Sequence, residues 1–511
     1  MSTTSEARPV PRADPSGHLN ADHLVDDIGR RSIRGGTVTL GAQLVKMVVQ
    51  FATIVILARL LAPEAFGLIA MVAAINTLLD LVKEMGLSSA TIQRPDITHD
   101  QVSALFWLNT GIGAALALAL ALAAPAIAWF YGVPELVPTT RLLAIGFLLS
   151  GLTVQHWALL RRQMRFTAVA AIDAGAEVLG FVTAIVMAIG GFDYWSLVAQ
   201  RLVSPAVVMI GCWALCGWRP SRPRRAAGIG DLLRFGAWVT GANLAVALTR
   251  SIDQVIIGRL WGPSMLGLYE RALKLLMLPI NNINAPIYAV AMPGLSRLAT
   301  RDDRYRQLFA DMMQWLAMLT MPLFAMVPVM ADWVVLLLFG PRWSDGVPLV
   351  AWFGFAACYL PTMLSLGLLY LSQNRAGDML RATLLDCALS IAGILAGLRF
   401  GVTGIAASFA LTGLFVRTPV AFWLATRRGP VRLHDLHGAV LPSVVAALVA
   451  VAVVVLLRRC VIPVQVLPIV ALCLGTGAGL AAALVTLAAI PSSRRSLMAL
   501  RHLRQLRPRE G

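Results

Sequence analysis

Blocks of about twenty or more apolar residues, parted by short polar turns, follow one another from near residue 36 to residue 490. Each is long enough for a helix to cross a hydrocarbon core of roughly 30 Å. The blocks lie near 36–61, 64–90, 101–130, 134–160, 167–190, 193–217, 229–261, 264–298, 306–339, 345–372, 376–398, 401–426, 438–457 and 463–490. They predict an all-α polytopic membrane protein with about fourteen transmembrane helices, and no soluble domain fits between them.

The pattern repeats. VILARLLAPEAFGL at 55–68 returns 200 residues later as VIIGRLWGPSMLGL at 255–268, identical at seven of fourteen positions. Each copy ends an apolar block with an Arg (Arg59, Arg259) and restarts at a proline (Pro63, Pro263), which reads as helix, tight turn, helix. A weaker echo at an offset of 208 matches Gly132, Gly146 and Phe147 with Gly340, Gly354 and Phe355. Six crossings separate the copies, and an even number returns the chain to the same side. The reading is therefore two parallel-repeat six-helix lobes, with the path for a substrate between them. The blocks near 438–457 and 463–490 have no partner in the first half and form an appended pair. The expected domains are a disordered tail at 1–28, an N-lobe at 29–217, a basic linker at 218–228, a C-lobe at 229–426, the appended pair within 427–490 and a basic tail at 491–511.

Composition agrees, with 58% hydrophobic and 14% charged residues, against about a quarter charged in soluble proteins. The net charge of +17 does not point to nucleic acid, because the cations cluster at block ends, the positive-inside pattern. Arg161, Arg162 and Arg165, then Arg222, Arg224 and Arg225, then Arg297, Arg301, Arg304 and Arg306, then Arg427, Arg428 and Arg432 mark one side. That side is assigned to the cytoplasm, with both termini, and the chain to an inner membrane. Arg342, Arg399, Arg458 and Arg459 are exceptions on the other side. The basic tail, with Leu497, Leu500, Leu503 and Leu506 amid arginines, suits a helix lying on anionic membrane lipids.

Several chemistries are not expected. The six cysteines are scattered and make no disulfide framework or metal spacing. The first residues lack the apolar run of a cleaved signal, and Arg30-Arg31 reads as a topology anchor rather than an export signal. No G-x-x-x-x-G-K-[ST] occurs, so no nucleotide and no other cofactor is expected. His434 and His437 around Asp435 read as a solvated turn rather than a metal site. No long outer loop is available for catalysis, and the chain is not expected to be an enzyme.

The candidate chemistry lies in polar stripes. Thr39, Gln43, Lys46, Gln50 and Thr53 recur at intervals of four, three, four and three, on one helix face. The stripe returns 200 residues later as Asn243, Arg250 and Asp253. A polar stripe in a bilayer faces protein or water, so the two helices are expected to share a polar cavity. Stripes that only glue helices together are the alternative, and their matching argues against it. Asn76, Asp80 and Lys83 form a further face, as do Glu270, Lys274, Asn281 and Asn284. Pairs Asp80/Lys83 and Glu270/Lys274 that only neutralise themselves are the plainer reading of those charges. Asp173 and Glu177 are like charges at i and i+4, which favours one of them holding a proton, unless a cation such as Arg201 pairs with them. They and Asp253 are the candidate coupling acids.

The run EMGLSSATIQRPDITHDQVSALFWLN (84–109), with LARLLAPEAFGL before it and SIDQVIIGRLWGPSMLGLYERALKLLMLPI (251–280) after it, resembles the polysaccharide-transporter branch, the Wzx-type flippases, of the multidrug/oligosaccharidyl-lipid/polysaccharide exporter superfamily. The resemblance covers about 30–490, and 86–93 and 267–279 are its specific parts. It implies two six-helix lobes around a central cavity plus two C-terminal helices. It also implies translocation of an undecaprenyl-diphosphate-linked oligosaccharide, a substrate belonging to a pathway with glycosyltransferases and a polymerase. Such a diphosphate needs cations, here Lys46, Arg250 and Lys274, and its sugars need hydrogen-bonding groups, here Gln43, Gln50, Asn243 and Asn281. A flippase for lipid-linked peptidoglycan precursors shares the cationic logic. A cation-coupled multidrug antiporter would want an acidic cavity, and a non-transporting scaffold would need no matched stripes.

Overall fold

The computed structural model describes residues 28–84, 88, 91–92, 97–222, 229–460 and 467–494, with side chains from residue 41 onward except at 81–84 and 229–250. Among the described residues all regular structure is helical. Twelve stretches are long and apolar enough to cross a membrane, and the chain is a multi-pass membrane protein. Fourteen spans were expected; two of the twelve, Ser251–Arg297 and Ala376–Thr426, are 47 and 51 residues long, and the expected divisions fall inside them. Apolar side chains such as Leu122, Trp129, Phe415 and Val485 remain exposed, because in a bilayer the solvent for the outer faces is lipid.

The described residues fall into two compact units, one of them running up to Thr53 and then over Leu68–Ser251, the other joining Ile54–Gly67 to Ile252 and beyond. The first copy of the repeat thus lies with the second unit.

The first unit contains most of α1 (Ile28–Leu60) and α2 (Pro63–Glu84), then α3 (His99–Tyr131), α4 (Leu136–Gly151), α5 (Val154–Arg162), α6 (Phe166–Ile189), α7 (Tyr194–Cys216) and the opening of α8 (Ile229–Arg297). A capping box starts α3: Thr98 Oγ1 accepts the Gln101 N–H, and Gln101 Oε1 accepts the Thr98 N–H at 3.1 Å, so orphan donors of the first turn are satisfied. Gly132 ends the helix with φ of 73°. The expected fourth helix is broken into α4 and α5 at Leu152 and Thr153. The core joins Phe106, Leu159, Ile172, Cys212 and Trp218. Phe106 is ringed edge-on by Trp107, His156, Trp213 and Trp218.

The second unit contains the rest of α8, then α9 (Asp302–Ala325), α10 (Val327–Leu338), α11 (Val347–Ser372), α12 (Ala376–Gly397), α13 (Gly401–Thr412), α14 (Thr418–Thr426), α15 (Leu433–Cys460) and α16 (Pro468–Ala489). Gly262, with φ of 77° and ψ of −175°, breaks α8 at the turn of the second repeat copy. Pro328 has no N–H to donate, and the expected ninth helix divides there into α9 and α10. Gly340, the counterpart of Gly132 in the weaker echo, likewise takes a positive φ, 92°. Between α13 and α14, Gly413–Arg417 forms one π turn. Pro419 follows and cannot bond back to Phe415 O, which favours the wider turn. The appended pair α15 and α16 packs on α9 and α10. There Ala446, Ala450 and Ala483 let the helices approach and Met326 and Met330 fill the gaps.

Residues 54–67 are anchored in this unit. The Trp343 indole N–H donates to Ala58 O at 2.7 Å, and its ring lies 5.5 Å from that of Phe66. Arg59 donates to Leu338 O at 3.3 Å and also to Leu337 O, capping the negative end of α10.

Candidate functional site

In the first unit, α1 presents two faces. Leu44, Val45, Val48 and Phe51 are exposed, while Lys46, Gln50 and Thr53 on the opposite side are half-buried. At 100° per residue these sets separate cleanly, so the polar stripe is turned away from the lipid-facing side. Gln43 is exposed near its upper end, and Thr53 is occupied with its own helix, donating to Val49 O at 2.7 Å.

Lys46 and Arg161 both lie within electrostatic reach of Asp173 on α6. A cation expected to bind substrate thus lies in the electrostatic neighbourhood of an acid expected to serve coupling, a relationship that no sequence spacing indicates. Glu177 is half-buried one turn further along α6. The counterpart residues Asn243 and Arg250 sit on the helical backbone of α8, but their side chains lie outside the described residues, as do those of Thr39 and Lys83.

Sequence reasoning passed over a buried polar group at the Arg-rich end of this unit. Thr91 Oγ1 donates to Gln155 Oε1 at 2.7 Å, and Arg162 donates to Thr91 O at 3.0 Å. Next to Gln155, His156 stacks on Trp213 with ring centroids 4.4 Å apart. The signal was present as Gln155-His156 in an apolar run, but nothing in the sequence says what they touch.

In the second unit the remaining predicted residues lie on α8, Asp253 before its break and Glu270, Lys274, Asn281 and Asn284 after it. Asp253 Oδ2 accepts from the Tyr269 hydroxyl at 2.8 Å, and Oδ1 accepts from the Gln254 N–H at 2.8 Å. The Gly262 turn brings Tyr269 back alongside Asp253. Glu270 forms ion pairs with Lys274, one turn on, and with Arg271 at 3.3 Å. Side chains of Glu270 and Arg271 are 7% and 10% exposed, whereas Lys274 is 45% exposed. The Arg271 guanidinium lies 3.9 Å from the Phe66 ring centroid. Among the described residues two cations, Arg271 and Lys274, meet on the Glu270 carboxylate, and Arg271 is the member that the sequence stripe missed. Asn281 is exposed and Asn284 buried on the face that continues from Glu270 and Lys274.

Further along, Asp386 and Arg417 form a two-pronged pair at 2.7 and 2.8 Å, held by the π turn. Asp435 accepts the Arg432 N–H at 2.8 Å and pairs with Arg306 at 3.7 Å, so it organises the entry to α15. Arg458, an exception to the charge bias, is engaged by Asp332 at 2.9 and 2.6 Å.

The chain matches the sequence family described as polysaccharide biosynthesis protein over residues 56–348, more than half its length. It is 30% identical over 307 residues to the teichuronic acid biosynthesis protein TuaB of Bacillus subtilis (strain 168), covering 59% of this chain and 61% of that one. It is 25% identical over 351 residues to the lipopolysaccharide biosynthesis protein WzxC of Escherichia coli (strain K12), covering 68% of this chain and 67% of that one. In fold it is similar to the lipid II flippase MurJ in an inward closed conformation, with a TM-score of 0.73 at 10% identity over 88% of this chain and 98% of that one. With the family match spanning both copies of the repeat and the fold agreeing with a known membrane flippase, this chain belongs to the polysaccharide biosynthesis protein family.

Proposed function

We propose that the chain is a flippase that carries an undecaprenyl-diphosphate-linked oligosaccharide repeat unit across the inner membrane by alternating access, for synthesis of an exopolysaccharide, capsule or O-antigen. The observation that carries this reading is the charged cluster of Lys274, Arg271 and Glu270 within a stretch long and apolar enough to cross a membrane, in a chain of the polysaccharide biosynthesis family. Charges in a membrane span are costly and mark functional paths, and a half-exposed ammonium such as that of Lys274 suits a diphosphate oxygen. In this reading Lys46, Arg250 and Lys274 take the diphosphate, and Gln43, Gln50, Asn243 and Asn281 take sugar hydroxyls. The polyprenyl tail stays in lipid. Asp173, Glu177 and Asp253 are the acids available for ion coupling.

Both termini are placed in the cytoplasm, following the Arg-rich loops. Glycosyltransferases that make the lipid-linked unit and a polymerase that consumes it are the expected partners in the pathway.

The test is reconstitution. Liposomes containing the purified chain are loaded with lipid-linked oligosaccharide extracted from cells that make it, and sugar reaching the outer leaflet is read by an added glycosidase. Faster exposure than in protein-free liposomes, slowed by Lys274→Gln, is expected. Equal rates with and without protein would sink the proposal.

A further inference from the structure

One pocket of the second unit has no part in the proposed path. It lies where the end of α11, the start of α12 and the end of α14 meet, has a volume of about 180 Å³, and is lined by Arg375, Arg381, Arg427 and Arg428 with the single carboxylate Asp378. Three of the arginines share that carboxylate: Arg375 at 3.2 Å, Arg428 at 3.4 Å and Arg381 at 3.9 Å. Four cations against one anion leave a surplus of three positive charges around a space of small-anion size.

The cations differ in how they are held. Arg375 is fixed: it stacks over Tyr370 at 5.3 Å and donates to Gln373 Oε1 at 3.1 Å, to Ala425 O at 3.3 Å and to Arg428 O. Arg381 and Arg428 are mostly exposed and are free to turn from Asp378 towards another anion. Gly429 closes the loop behind them with φ of 106°, and a Cβ there would meet Gln373 Oε1 at 2.7 Å. The loop that carries two of the cations is therefore seated directly on the Arg375 frame.

The other wall is apolar. Ala382, Leu385 and Leu424 complete the lining, and Leu371, Leu380, Leu384 and Trp423 are exposed on the same helix ends. A cationic pocket above a lipid-facing apolar surface, at the membrane end where the arginines concentrate, fits a phosphate bonded to acyl chains better than a soluble anion. Guanidinium groups bind phosphate oxygens in pairs, and basic pockets between helices on this side of a membrane are suited to anionic headgroups.

We infer that this pocket is a binding site for the headgroup of an anionic membrane phospholipid, with Arg381, Arg427 and Arg428 on the phosphate, Arg375 as the fixed floor and the acyl chains against Leu385 and Leu424. The site is separate from the α8 cluster assigned to the transported substrate.

The test is native mass spectrometry of the full chain in detergent, titrated with phosphatidylglycerol or with phosphatidylcholine. The parent should retain phosphatidylglycerol selectively. Arg381→Gln with Arg428→Gln should weaken that retention about thirtyfold, taking one lipid-surface contact per arginine. Lysine at both positions should restore most of it. Arg342→Gln with Arg399→Gln, an equal loss of charge at exposed residues elsewhere, should leave it unchanged. Equal retention in parent and glutamine variant, equal loss in the control, or displacement of the lipid by excess inorganic phosphate would each overturn the assignment.

Discussion

Gly67 and Gly267 are reciprocal. A Cβ on Gly67 would lie 1.7 Å from Pro263 O, and a Cβ on Gly267 would lie 1.9 Å from Pro63 O. Each copy of the repeat thus presses its proline turn onto the glycine of the other, in a local two-fold relationship inside the second unit. The surrounding positions match in burial as well: Leu57 with Ile257, and Phe66 with Leu266. The identity of proline and glycine in both copies follows from this contact, since backbone meets backbone with no room for a methyl group.

Gly67→Ala and Gly267→Ala should therefore each lower the melting temperature of the purified protein by several degrees. The obstacle is a backbone carbonyl, so the cost should reach or pass the upper end of the ~1–3 kcal/mol usual for overpacking. Gly41→Ala, where a Cβ would meet nothing within 4 Å, is the control and should not destabilise. Unchanged melting in both proline-facing variants would mean that the turns can part without cost.

Glu270 holds Lys274 and Arg271 together. Glu270→Gln should destabilise by about 3–5 kcal/mol, because it breaks the buried ion pair with the Arg271 guanidinium. Lys274→Gln removes a half-exposed partner and should change stability by less than ~1 kcal/mol while slowing translocation. Thermal unfolding and the liposome assay together separate the two; a Lys274→Gln variant that unfolds as readily as Glu270→Gln would make Lys274 structural.

The Arg417 side chain is 7% exposed and meets both oxygens of Asp386. Arg417→Lys should fail to rescue the stability lost in Arg417→Gln, since an ammonium cannot reproduce the planar two-pronged contact. Thermal unfolding of the two variants checks this, and equal stability of Arg417→Lys and the parent would show that charge alone suffices.

Lys46 and Asp173 should behave as one unit. A double-mutant cycle with Lys46→Gln and Asp173→Asn, read from translocation rates, should show effects that do not add, as for charges within electrostatic reach of each other. The same vesicles with and without an imposed pH difference test coupling: Asp173→Asn with Glu177→Gln should bind substrate but lose its response to the gradient. Additive single effects and an unchanged gradient response would remove these residues from the proposal.

Orientation is open to a direct measurement. With the six native cysteines replaced, single cysteines near Arg161 and Arg222 should react only from the cytoplasm, and those at Gly132 and Gly340 only from outside. Labelling of the Arg222 site from outside would reverse the scheme.

The helices, the repeat and the positions of the charged stripes were legible in the sequence because each depends on a property that sums along a short stretch. Twenty apolar residues predict a span wherever they fall, and Pro63 and Pro263 mark the same turn by identity alone. Partnership was not legible. Asp253, a candidate coupling acid, accepts from Tyr269, which is 16 positions away and is brought back by the Gly262 break. Arg417 takes Asp386 across two helices, and Arg458 finds Asp332 from 126 positions away. The cationic pocket of α11, α12 and α14 appears in sequence only as arginines at helix ends. Hydrophobicity is a one-dimensional signal, because burial in lipid asks only for length and composition. An ion pair asks for two side chains within about 4 Å, and only the packing of helices decides which charges come that close.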